Sequence, residues 1–134
     1  MSSAAWQQIE RELAVRRLID HYAHGCDVDD SALVASLFTD DDVLIVRDDV
    51  MAGRELLEFY RARLMFPTLH FTSGLTIGER ADGLLDATSG FIAIEMRDEK
   101  TRAVVGRYTD VVHVADGEAR FVSRRIDITG RIGD

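Results

Sequence analysis

The stretch Val15-Arg16-Arg17-Leu18-Ile19-Asp20-His21-Tyr22-Ala23-His24-Gly25-Cys26-Asp27 decides how the rest of the chain reads. Val15, Leu18, Ile19, Tyr22, Ala23 and Cys26 recur at i, i+3, i+4, i+7, i+8 and i+11. That is one face of an amphipathic helix, and such a face must be covered by another element. Gly25 weakens the helix near its end, and the acidic stretch Asp27 to Asp30 closes it. Asp29 or Asp30 is then placed to cap a short second helix from Ser31 to Phe38. Val43-Leu44-Ile45-Val46 follows as a short buried strand. A third helix, Arg54 to Met65, carries Leu56, Leu57, Tyr60 and Leu64 on one face until Pro67 stops it.

Beyond Pro67 the period changes. Leu69, Phe71, Ser73, Leu75 and Ile77 alternate with His70, Thr72, Gly74 and Thr76, the pattern of a strand. Ala81-Asp82-Gly83 reads as a turn into a long strand, Leu84 to Met96. Another runs from Ala103 to Ala115, and Asp116-Gly117 turns into the last, Ala119 to Ile128. Helices gathered first and antiparallel strands after them predict an α+β fold. The two parts share one core if the long first helix lies across the concave face of a strongly curved antiparallel sheet, and that arrangement encloses a pocket.

Length and charge bound the rest. At 134 residues, with one proline, no linker and no repeat, residues 1–134 read as a single domain. The net charge of −8 has the wrong sign for nucleic acid or anionic lipid, and the arginines are scattered, so neither is an expected partner. A small neutral ligand or another protein remains open, and a small hydrophobic substrate and a second copy of the chain are the expected partners. No apolar stretch approaches the roughly 20 residues of a membrane span. The first residues lack a basic flank followed by an apolar run, and Cys26 is alone, so a cytoplasmic protein without disulfides is expected.

Several short motifs, in order, resemble the SnoaL-like branch of the nuclear-transport-factor-2-like superfamily. Leu18 to Asp27 is similar to that family's opening helix, in which Tyr precedes Asp by five places. Leu37-Phe38-Thr39-Asp40-Asp41 resembles its LFTDD turn, and Gly53-Arg54-Glu55 the start of its later helix. Leu69-His70-Phe71 matches a strand position that often holds histidine. Gly106-Arg107-Tyr108-Thr109-Asp110, Asp116-Gly117 and Phe121-Val122-Ser123-Arg124-Arg125 resemble its closing signature. The resemblance covers residues 9 to 128 and implies an α+β barrel, a cone-shaped curved antiparallel sheet wrapped around the long N-terminal helix. It implies fold more strongly than function, because this fold hosts dehydratases, isomerases, cyclases, dehydrochlorinases and non-catalytic subunits.

Asp27 carries the chemistry. It continues the row Ile19-Ala23-Asp27, so an acid stands on an apolar face, where it must be partnered. Two readings remain. Asp27 caps the following helix, or it pairs with His70 and fixes that imidazole for general acid/base work. Dehydratase and dehydrochlorinase members of the family use such a pair, and the resemblance places it at Asp27 and His70. It also implies a tyrosine that polarises the substrate oxygen, at Tyr22, which equally fits the core stripe. The chain departs from the dehydratase pattern in two places. No histidine occurs between Leu84 and Arg97, and Cys26, not tyrosine, precedes Asp27.

Arg124 and Arg125 occupy opposite faces of the last strand, and one of them is expected to bind substrate inside the pocket. His21 and His24 with Asp27 have poor metal spacing and read as surface histidines, so no metal and no cofactor are expected. The expected function is a cofactor-free lyase or isomerase, dehydratase-like, acting on a hydrophobic carbonyl- or hydroxyl-bearing small molecule. The alternatives are a polyketide-cyclase-type enzyme and a non-catalytic assembly subunit resembling the small subunit of ring-hydroxylating dioxygenases.

Overall fold

The structure, a computed structural model, describes residues 2–63 and 67–133, without the side chains of residues 41 and 42. The expected helical positions Leu64 and Met65 lie outside the described residues. Helix α1 runs from Ser3 to Asp27, and the side chain of Ser2 caps it by accepting from the backbone N–H of Ala5. Of the predicted stripe, Val15, Leu18, Ile19, Tyr22 and Cys26 are buried and Ala23 is half-buried, and Ala14 and Gly25 join the buried face. Helix α2 spans Ser31–Ser36, capped by Asp30, whose carboxylate accepts from the N–H of Leu33 at 3.0 Å. Asp30 therefore does the capping, and Asp27 is free for another role.

Strand β1, Phe38–Val46, is longer than Val43–Val46 alone, and a short strand β2, Asp49–Met51, folds back on it. Helix α3 covers Arg54–Arg63 and buries Leu56 and Tyr60. Strands β3 (Thr68–Glu79), β4 (Leu85–Arg97), β5 (Lys100–Ala115) and β6 (Glu118–Ile132) form the expected antiparallel meander. The six described strands lie in the order β2-β1-β6-β5-β4-β3. One pair corrects the expected all-antiparallel sheet: β1 runs parallel to β6. The last strand of a meander has an open edge, and β1 fills it through a connection that contains α3 and four strands, long enough for parallel pairing. The sheet is thus mixed and α1 packs against its inner face, with Val15, Leu18, Ile19 and Tyr22 joining Leu85, Ala87, Phe91, Tyr108, Val112 and Phe121 in one core.

The alternation in β3 is broken, and the break positions the site. Ser73 pairs with Gly90 but Thr76 with Thr88, so β3 advances three residues while β4 advances two. One extra residue makes a bulge, and every side chain beyond it changes face. Leu75 and Ile77 pack against the core, whereas Leu69 and Phe71 are 48% and 57% exposed on the outer face. The single uninterrupted face expected for Leu69 through Ile77 is therefore two half-faces. His70, between two outward residues, faces inward. Gly74 lies in the bulge with φ +65°, a left-handed conformation, and a Cβ there would meet nothing within 4 Å. Gly74→Ala thus tests backbone conformation alone. A left-handed non-glycine costs roughly 1–2 kcal/mol, so the urea midpoint should fall accordingly. An unchanged or higher midpoint would mean that the bulge does not depend on glycine.

Candidate active site

Asp27 ends α1 where the helix meets β3, one edge of the described sheet. Edge strands leave backbone N–H groups unpaired, and Asp27 takes one: its Oδ2 accepts from the backbone N–H of His70 at 3.1 Å. Its Oδ1 contacts His70 Nδ1 at 2.6 Å and accepts from the Thr68 hydroxyl at 3.1 Å. The two side chains are largely buried, 13% exposed for His70 and 19% for Asp27. An ionised carboxylate only accepts, so Nδ1 carries the proton and Nε2 of a neutral imidazole keeps its lone pair. The acid on the apolar row is thereby partnered three times, which answers the cost of burying it.

His70 lines a cavity of about 480 Å³ between α1, α3 and the sheet. Its buried floor includes Tyr22, Cys26, Tyr60, Phe91, Ala93 and Tyr108. Phe91 and Tyr108 stack at 4.3 Å, an arrangement that needs Gly106, since a Cβ there would stand 2.7 Å from the Phe91 ring. The Tyr22 and Tyr60 hydroxyls hydrogen-bond at 2.7 Å. Burial raises both phenols well above their ordinary value, so they stay protonated and serve as donors. Either hydroxyl can be the donor in this contact. If Tyr60 donates, the proton of Tyr22 is left to be offered to a substrate oxygen. Burial pushes the Cys26 thiol up to about 12, so it is not a nucleophilic thiolate near neutral pH.

Beneath the floor lies Arg124, fully buried. Its guanidinium sits 3.5 Å from the Tyr108 ring centroid, 4.1 Å from that of Tyr22 and 4.5 Å from that of Phe121. Its Nε is 3.3 Å from Oδ1 of Asp110, also buried, yet the geometry gives neither group a hydrogen bond among the described residues. Arg125 points the other way, 45% exposed and 4.0 Å from Asp127. The two arginines do occupy opposite faces, but neither lines the cavity, contrary to the expectation that one would enter it. Tyr22 and Tyr108 stand between Arg124 and the open space. His21 and His24 are exposed, and among the described residues no cluster of His, Cys, Asp and Glu could hold a metal.

A family model for the SnoaL-like domain matches residues 7–125. The chain belongs to the SnoaL-like family. That places it within the nuclear-transport-factor-2-like superfamily, in agreement with the mixed curved sheet around α1. Comparison with curated proteins by sequence finds no match. Among solved structures, this SnoaL-like domain is similar to a candidate scytalone dehydratase from Novosphingobium aromaticivorans DSM 12444. The two are 21% identical over 93% of this chain and 88% of that one, with a TM-score of 0.83. It is also similar to a type 3 hexachlorocyclohexane dehydrochlorinase, LinA, from Novosphingobium barchaimii LL02, at 13% identity, 96% and 93% coverage and a TM-score of 0.83. A protein of unknown function from Mycobacterium tuberculosis shares 23% identity over 96% of this chain and 76% of its own, with a TM-score of 0.83. At these identities the likeness is one of fold.

Some site residues were not visible as such in the sequence. Tyr60 read only as core of the third helix, and Thr68 preceded the strand whose register it helps to fix. Their part depends on contacts 38 and 41 residues away in the chain.

The buried pair in this SnoaL-like domain has a pH signature. Burial raises the Asp110 carboxyl from 3.8 to about 6 against the pull of Arg124. The folded state then holds this proton over a range where the unfolded chain has lost it. Asp110 therefore contributes stability that is complete below about pH 4 and is lost as pH rises through 6. Asn cannot titrate, so the stability difference between wild type and Asp110→Asn should move against wild type from pH 4 to 6 in urea titrations. A difference independent of pH would show that Asp110 is ionised throughout.

Proposed function

We propose that this chain is a cofactor-free lyase or isomerase, dehydratase-like, acting on a hydrophobic small molecule that bears a carbonyl or hydroxyl group. The observation that carries the reading is the 2.6 Å Asp27–His70 contact at the wall of an aromatic cavity. His70 is the general acid/base, and Asp27 is its positioning partner. Its Nε2 takes a proton from the carbon beside the substrate carbonyl, and the electron pair moves onto the carbonyl oxygen. Tyr22, supported by Tyr60, donates a hydrogen bond to that oxygen, where negative charge develops. In a dehydration, the returning electron pair expels the β-hydroxyl, which takes the proton back from His70 and leaves as water. In an isomerisation, the same proton returns to a different carbon. Neither step draws on an oxidant or a reductant.

A panel of apolar β-hydroxyketones, followed by enone absorbance, tests the reading. His70→Ala should lower turnover by about 10² to 10⁴. Asp27→Asn, whose single carbonyl oxygen cannot accept from both the backbone N–H and the Nδ1–H of His70, should overlap with that loss and not multiply it in the double variant. Chelator should leave the rate unchanged. Full turnover in both single variants would assign the pair a structural role only.

The cytoplasm is proposed as its compartment, and among the described residues no helix is long and apolar enough to cross a membrane. We also propose a homodimer through the sheet. Phe71 and Ile92 are cross-strand neighbours on the outer face, 57% and 44% exposed, with Leu69 and Met96 beside them at 48% and 42%. Such a face is covered most simply by its own copy. Light scattering should give a particle near twice 15.0 kDa, and Phe71→Glu should halve it. A wild-type particle of 15.0 kDa at micromolar concentration would contradict the dimer. A face that stayed open in the monomer would instead favour the assembly-subunit reading, in which a different chain covers it.

A further inference from the structure

The cavity that holds His70 is apolar at its floor and cationic at its rim. Arg47, Arg63, Arg97, Arg102 and Arg131 line it against two acidic residues, Asp49 and Glu95. A chain with 24 acidic and 16 basic residues thus gathers a basic excess around one opening. Arg47, Arg63 and Arg131 are exposed and Arg102 half-buried, and none of these four makes an ion pair with a described residue. Like charges gathered in this way repel one another, and an anion brought among them relieves the repulsion.

Strand register sets the geometry. His70 pairs with Ala93, Ala93 with Val104, and Val104 with Arg131, one continuous row across β3, β4, β5 and β6. The next row places Thr68 beside Glu95 and Glu95 beside Arg102. Arg131 reaches the inner face because β6 carries an extra residue where Val105 pairs with Gly130 and Gly106 with Ile128. Base and guanidinium therefore stand at opposite ends of one transverse row, three strand spacings or roughly 14 Å apart along the backbone. Val104, Ile126 and Ile128 form an apolar stretch of the lining near its arginine end.

We propose that the natural ligand of this cavity is an anionic amphiphile. Its apolar body lies over Phe91 and Tyr108, and a carboxylate, sulfonate or phosphate group is held at the rim by Arg102 and Arg131. The planar guanidinium fork suits these oxyanions. The inference deepens the proposed function, on which the position of the reacting carbon at His70 rests. The binding of the anion does not depend on that chemistry.

Two fluorescent probes that share a skeleton separate the contributions: 1-anilinonaphthalene-8-sulfonate and the uncharged N-phenyl-1-naphthylamine. The sulfonate should bind wild type roughly tenfold more tightly than the neutral probe, as a charge-assisted contact would give. Arg102→Gln and Arg131→Gln should each abolish most of that advantage without changing the neutral probe's affinity. Arg107→Gln, on the exposed outer face, should change neither. About 0.5 M salt should weaken only the sulfonate. Equal affinity of the two probes, no binding of either, or an advantage that survives both rim substitutions would overturn the proposal. His70→Ala should retain the sulfonate preference, so a failure of the catalytic reading and a failure of the anion site are read separately.

Discussion

The contact between the end of α1 and the edge of the sheet is the constraint on which the rest of this molecule depends. Asp27 accepts three hydrogen bonds from β3, two of them from His70. A backbone N–H on a free edge needs an acceptor, a carboxylate at the end of an apolar helix face needs donors, and an imidazole in a cavity needs its tautomer set. One residue meets all three needs. A structural role and a chemical one are consequently compatible here: the bond that seals the edge strand also orients the ring.

The elements that carry long periodic patterns were legible in the sequence. The stripe from Val15 to Cys26 predicts the buried face of α1, and the turns at Ala81-Asp82-Gly83 and Asp116-Gly117 predict the hairpins that delimit the meander. What escaped such reading is what periodicity cannot express. A bulge adds a residue without altering composition, so the alternation from Leu69 to Ile77 looks continuous while its two halves face opposite ways. The parallel pairing of β1 with β6 joins segments far apart in the chain, and no local signal announces it. The same holds for β2, three residues long.

The candidate site divides along the same line. Asp27 and His70 could be singled out because each is chemically out of place, an acid on an apolar row and a histidine among strand residues. Tyr60 and Arg131 could not be, because a tyrosine on a helix face and an arginine near a chain end are ordinary until register brings them to the cavity. Arg124 shows the converse. Its motif drew attention to it, but a guanidinium packed against three aromatic rings works from below the floor, where its charge acts on Tyr22 and Tyr108 through their rings. Its partner Asp110 keeps a buried carboxyl beside it, and removing either alone would strand the other in a poorly solvated place.

The central claim is that Asp27 holds the His70 ring with its proton on Nδ1 and Nε2 open toward the cavity. Nitrogen-15 NMR of the His70 imidazole at a pH where the ring is neutral measures this directly, since protonated and lone-pair nitrogens resonate far apart. The account predicts one tautomer in the wild type, protonated at Nδ1, and a mixture or the opposite tautomer in Asp27→Asn. A wild-type ring protonated at Nε2, or one that averages both tautomers as freely as it does in the variant, would contradict it.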